Sequence, residues 1–221
     1  MNELLFFCHI LVLLACLLGT VRLGKQALLI AFALQMILAN LFIAKEISLF
    51  GLNVTATDMY TIGSIFTLSC IQEFYGKVEA RKLIWIGFSF LILVGLMVKF
   101  HLLYKPSVGD TTHFAYLTIF SSTPRIIIAS LGTAFLADRI DINLYAFFQK
   151  KLPLIGRFAL STLIAQFFDT LLFSFAALYG SVSNITHIIF FSYLVKVVAI
   201  AIIAPFMILA KKLVQKERHA L

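Results

Sequence analysis

The chain reads as all-α and polytopic: a membrane helical bundle of six or seven transmembrane helices, N-terminus outside and C-terminus inside. Three observations predict this. Apolar residues make up 62% of the 221 positions and charged residues only 13%, against roughly 45–50% and about 25% in soluble domains. Mean hydropathy is +1.02, so too few polar side chains remain to coat a water-facing surface. The basic residues are distributed with a strong sidedness. A spanning helix needs about 20 residues, which leaves no room for a sizeable soluble domain.

Seven apolar stretches follow one another at 4–21, 26–44, 57–75, 83–103, 112–137, 158–179 and 186–210. The first lacks the basic start and small-residue cleavage site of a signal peptide, so it reads as a span. The fifth is irregular. Thr123 and Pro124 have the signature of an N-cap followed by a first helical position. The crossing is therefore expected at 124–141, with 112–120 a short aromatic helix lying at the interface or re-entering. With the N-terminus outside, the inner loops hold Arg22 and Lys25, then Lys77, Arg81 and Lys82, then Arg139, Lys150, Lys151 and Arg157, then Lys211, Lys212, Lys216 and Arg218. That is thirteen basic residues, against three (Lys45, Lys99, Lys105) in the outer loops, as the positive-inside rule expects. The net charge of +8 thus follows from topology and does not call for nucleic acid. The domain expectation is a single transmembrane unit over 1–221, with an extra N-terminal span in 1–25, a core over 26–210 and a cytoplasmic tail over 211–221.

A charge near the middle of a span costs at least about 2.5–3.5 kcal/mol on insertion scales, so such residues usually face the bundle interior. Asp169 lies close to the midplane of its stretch, and Thr162, Gln166 and Phe173 share its helix face. Lys196 lies at similar depth in the last stretch, which makes Asp169 its natural partner. Glu73 is about 22 Å along its helix from Asp58, so the two belong to opposite membrane surfaces. Arg125 starts its helix at the depth of Asp58. Each has a plainer reading. Asp58 would favour the positive end of its helix, Arg125 would snorkel, Glu73 would pair with Lys77 at i+4, and Asp169 with Lys196 would be a structural pair only. Cys8, Cys16 and Cys70 read as packing residues. No catalytic or metal-binding pattern is present in the sequence, and no enzyme is expected. Lys196 would also suit a retinal lysine, but the sole tryptophan, Trp85, leaves the aromatic cage of such a protein missing.

Several segments, in order, resemble the queuosine precursor transporter family, also called the vitamin uptake transporter family. They are Asn40-Leu-Phe-Ile-Ala-Lys45, Thr55-Ala-Thr-Asp58, Gln72-Glu-Phe-Tyr-Gly-Lys77, the stretch from Pro124-Arg125 to Asp141, and Ser161-Thr162-Leu-Ile-Ala-Gln166-Phe-Phe-Asp169-Thr170. The last is the most specific. The chain departs from the pattern at Ser69, where many members carry an acid, and at Ala165, where a glycine is usual. Six spans are commonly described for the family, so 4–21 is the additional one.

The resemblance implies import, across the cell (inner) membrane, of 7-deazaguanine-type bases or queuine for salvage into tRNA. The partners are the lipid bilayer and a small heterocyclic base, with no direct nucleic acid contact and no cofactor. The fold resembles the substrate-binding components of energy-coupling-factor vitamin transporters, which leaves an energising partner or a homo-oligomer open. The expected substrate-binding residues are Asp169, Gln166, Lys196, Glu73, Arg125, Asn40, Phe173 and Thr162. A carboxylate can accept the adjacent amino and N–H donors of a deazaguanine, a Gln amide can meet its carbonyl, and an aromatic ring can cover its face. The alternatives are a transporter of another flat heterocycle, such as a purine or vitamin, and a non-transport structural membrane protein.

Overall fold

The computed structural model describes residues 1–43, 45–55, 57–120, 124–180 and 185–218. They form a helical bundle with one short β-hairpin. Helix α1 (Asn2–Leu23) buries Phe6, Ile10, Leu14, Leu17 and Val21, a stripe at three- and four-residue spacing that faces the bundle. Cys8 and Cys16, expected in packing, fall off that stripe and are exposed, whereas Cys70 is buried. A single residue, Gly24, turns the chain into α2 (Lys25–Leu41). Its φ of 90° is in the region that favours glycine. Gly76, at φ 94°, turns α3 (Asp58–Tyr75) into α4 (Lys77–Leu103) in the same way.

Between α2 and α3 lie β1 (Glu46–Leu49) and β2 (Leu52–Thr55), paired antiparallel. The sequence reading placed only a loop here. Phe50 and Gly51 both have positive φ, 52° and 78°, which is the twist a two-residue hairpin turn needs. Leu49 and Val54 are buried, and the start of α1 holds the hairpin through Asn2 Nδ2 to the Ser48 carbonyl (2.8 Å) and the Phe50 amide to Glu3 Oε1 (3.1 Å).

The fifth apolar stretch divides at the expected place, into α5 (His113–Phe120) and α6 (Pro124–Phe148). The expected N-cap, Thr123, lies outside the described residues. Helix α6 runs seven residues beyond the expected end at Asp141. Helix α7 (Leu154–Phe173) continues into a π-helical segment, Ser174–Leu178. Helix α8 (Ile185–Ile203) is followed by α9 (Phe206–Arg218). Pro205 separates them, since it has no amide for the i→i−4 ladder. The stretch 211–218, expected as tail, is therefore helical.

Among the described residues, four helical segments are long and apolar enough to cross a membrane: Asn2–Leu23, Lys77–Leu103, Leu154–Ala177 and Ile185–Lys216. Helix α2 is apolar but has 17 residues. Helices α3 and α6 carry Asp58, Gln72 and Glu73, and Asp138, Arg139 and Asp141, which lower their apolarity. Their position explains why this is tolerated. Helix α3 is the central element, buried along nearly its whole length from Asp58 to Gln72, so its polar groups meet protein rather than lipid. Gln35 Nε2 donates to Thr67 Oγ1 and to the Ala31 carbonyl, both at 3.1 Å, and Thr67 donates to the Gly63 carbonyl at 2.9 Å. A Cβ at Gly63 would collide with the Gln35 side chain. Glycine therefore permits the close approach of α2 and α3.

The bundle has two distinct ends. At one, Lys25 pairs with Glu79 at 2.6 Å, joining the two single-glycine turns. The opposite end carries the hairpin, the start of α3 and the start of α1.

Candidate functional site

In the half of the bundle nearer the hairpin, six helices enclose a cavity of about 210 Å³. This is below the roughly 300–1,000 Å³ of pockets for drug-sized ligands, so it suits a molecule of one or two rings. Its polar lining includes Asn40 from α2, Asp58, Thr61 and Ser64 from α3, and Ser130, Thr133 and Asp138 from α6. Helix α7 contributes Gln166, Asp169 and Thr170, and α8 contributes Ser192 and Lys196. Phe88 and Phe173 supply aromatic surface.

Lys196 Nζ donates to Asp169 Oδ2 at 2.8 Å, with the two side chains 8% and 15% exposed. The pair spans α7 and α8, and Tyr193 strengthens that seam by donating to the Leu163 carbonyl at 3.2 Å. Asp58, the first residue of α3, also interacts electrostatically with both members of the pair. The sequence reading set Asp58 at the membrane surface. It is 8% exposed and lines the cavity.

Gln166 is 1% exposed, yet among the described residues its Oε1 has no hydrogen-bond partner, and neither does Thr170 Oγ1. Buried polar atoms without partners are rare in folded proteins and cost of order 1–3 kcal/mol each. Two on adjacent turns of one helix, both on the wall of the same cavity, form a polar surface that a bound guest can satisfy. Asn40 is positioned by its bond to the Met36 carbonyl (2.9 Å) and accepts from Ser130 Oγ at 3.4 Å.

Two of the expected substrate-binding residues, Thr162 and Glu73, are elsewhere. Thr162 is fully buried one turn before Gln166 and donates to Asp141 Oδ1 at 3.3 Å, away from the cavity lining. Glu73 lies toward the other end of the bundle. It receives Arg157 Nη2 at 2.6 Å and the Tyr145 hydroxyl at 3.1 Å, with Lys211 Nζ 3.8 Å away. Its partner is therefore Arg157 of α7 and not Lys77. The Arg125 side chain lies outside the described residues.

A family model described as "Putative vitamin uptake transporter" matches residues 55–210. The chain belongs to this family. It is 30% identical, over 203 residues, to a protein of Bacillus subtilis (strain 168) named "Probable queuosine precursor transporter", and the match covers 89% of each chain. No solved structure matches it. This member of the vitamin uptake family is a multi-pass membrane transporter, so its site residues bind and release rather than make bonds.

Asp138 and Thr170 are among the cavity residues that the sequence reading did not offer as binding residues. Asp138 falls three residues before the expected end of the crossing at Asp141, and the sequence reading assigned it no role. The apolar positions Ile142, Leu144, Tyr145 and Phe148 continue the helix, and that continuation was the available signal. Thr170 follows Asp169 directly in the most specific motif, but it lies off the Thr162–Gln166–Asp169–Phe173 stripe when ideal helical spacing is used.

Proposed function

We propose that the protein imports queuosine precursors, 7-deazaguanine-type bases or queuine, across the cell membrane. The observation that carries this reading is the pairing of Asp169 with an unpartnered Gln166 one turn away, on one wall of a cavity sized for a bicyclic base. Lys196 engages only Oδ2 of Asp169. In this reading the carboxylate takes the amino and ring N–H donors of the base, and Lys196 neutralises it when the site is empty. Gln166 reads the carbonyl, and Phe173 covers the ring. Asn40, held by Ser130, adds a further polar contact.

The name of the Bacillus subtilis relative supports this substrate class. The sidedness of the basic residues supports an N-out, C-in arrangement in the inner membrane, with seven crossings and 1–25 as the extra span. The cavity then opens from the outer half, and the cluster of Glu73, Arg157, Tyr145 and Lys211 holds the inner end closed. Alternate exposure follows if the helices rock about the midplane site while that cluster breaks. The test is uptake of a labelled base in a host unable to make queuosine, read out as modified tRNA. Asp169→Ala is expected to abolish uptake with membrane insertion intact. Normal uptake by that variant refutes the assignment.

A further inference from the structure

The cavity contains more acid than base. Asp58, Asp138 and Asp169 line it, and Lys196 is the sole cation of its lining among the described residues. That ammonium is already engaged by Asp169 at 2.8 Å and by the field of Asp58. Asp58 has additional support from the positive end of α3. Asp138 has neither. It is 6% exposed, and no described residue donates a hydrogen bond to it. The charges acting on it most strongly are those of Asp141 and Asp169, both of its own sign. Arg139, its neighbour in sequence, points away, with its guanidinium 5.2 Å from the Phe135 ring centre and 6.0 Å from that of Trp85.

A carboxylate removed from water and flanked by like charge is costly unless a cation or a donor meets it. The unpartnered Gln166 Oε1 and Thr170 Oγ1 belong to the same cavity wall system. They independently mark this space as one that a ligand completes.

We propose that Asp138 determines specificity by receiving a positively charged substituent of the substrate, so that the cavity selects an amine-bearing base over its uncharged congener. Resting on the reading above, this means the 7-aminomethyl form of the deazaguanine in preference to the 7-cyano form. The 7-substituent projects from the five-membered ring, at the end of the molecule away from the amino and ring N–H edge. A second carboxylate on a helix other than that of Asp169 is suited to that end. Binding the cation also brings the positive count of the filled cavity to two against three carboxylates.

The test is equilibrium competition between the aminomethyl and cyano compounds on the purified full chain. The wild-type protein is expected to bind the aminomethyl form about tenfold more tightly or better, as a charged hydrogen bond implies. Asp138→Asn should reduce the ratio to within about threefold by weakening the amine more than the cyano compound, with monodispersity of the purified protein as the check on folding. Parity or a cyano preference in the wild type overturns the inference without recourse to any variant, as does an Asp138→Asn protein that loses both ligands equally while remaining monodisperse. Failure of the wild type to bind either compound overturns the proposed function instead.

Discussion

Replacing Lys196 by Met removes an ammonium while keeping a long, flexible side chain in its place. The partner left behind, Asp169, is 15% exposed and the lysine side chain only 8%. Water therefore screens the pair poorly, and the relevant case is a buried ion pair rather than a surface one worth about 0–1 kcal/mol. Breaking a buried pair by deleting one member typically costs about 3–5 kcal/mol, because the other charge is stranded. For a chain of this size that corresponds to a fall in melting temperature of about 6–20 °C. Removing both charges has the opposite expectation. In the double variant Asp169→Asn with Lys196→Met nothing is stranded, and stability should return to within about 1 kcal/mol of the wild type. If Asp169 also binds substrate, uptake stays lost in the double variant although the fold is restored. The assay is thermal unfolding in detergent together with uptake in cells, on both single variants and the double. Recovery of uptake alongside stability would mean that the pair only fixes helix packing, and the reasoning for a binding role of Asp169 would fail. An unaffected melting temperature in Lys196→Met would contradict the buried pair itself.

Thr170→Val keeps the shape of the side chain and removes a hydroxyl that has no protein partner. Stability should be unchanged or slightly higher while affinity for the base falls by about fivefold, the worth of one neutral hydrogen bond; a destabilised protein with normal affinity would contradict this. Arg157→Ala breaks the 2.6 Å bond to Glu73 and should loosen the end of the bundle away from the cavity. Cys70, fully buried and one turn before Glu73, reports this in a background with Cys8 and Cys16 replaced by Ser. Its labelling by a thiol reagent should rise by about tenfold or more, and unchanged labelling would show that the ion pair does not hold that end closed. Gly63→Ala inserts a methyl group where the Gln35 side chain already lies, so a loss of about 1–3 kcal/mol is expected in detergent melts. A neutral result would contradict the close packing of α2 on α3.

The helical bundle was legible because apolar runs of membrane length and the sidedness of lysine and arginine are strong composition signals. The joining of Asp169 with Lys196 was legible for a related reason: two opposite charges at matching depth have few other ways to be tolerated in a span. The division of the fifth stretch could be read from Thr123 and Pro124. The hairpin could not, since its turn depends on a positive φ at Phe50, a residue with no turn signature. Glu73 has a local candidate partner at i+4, Lys77, and its actual partner, Arg157, lies 84 positions away. Local spacing cannot reveal such a contact. Asp138 was not singled out because its depth could not be judged: the helix runs on to Phe148, past the expected end at Asp141, and so carries Asp138 into the lining of the cavity.

The central claim is that the cavity beside the Asp169–Lys196 pair holds a planar deazaguanine-type base. Equilibrium binding of a labelled base to the purified protein, compared between wild type and Gln166→Ala, tests it most directly. The account predicts saturable binding to a single site in the wild type and its loss in the variant, with both proteins equally monodisperse. Absence of binding to the wild type, or equal affinity in the Gln166→Ala protein, would contradict it.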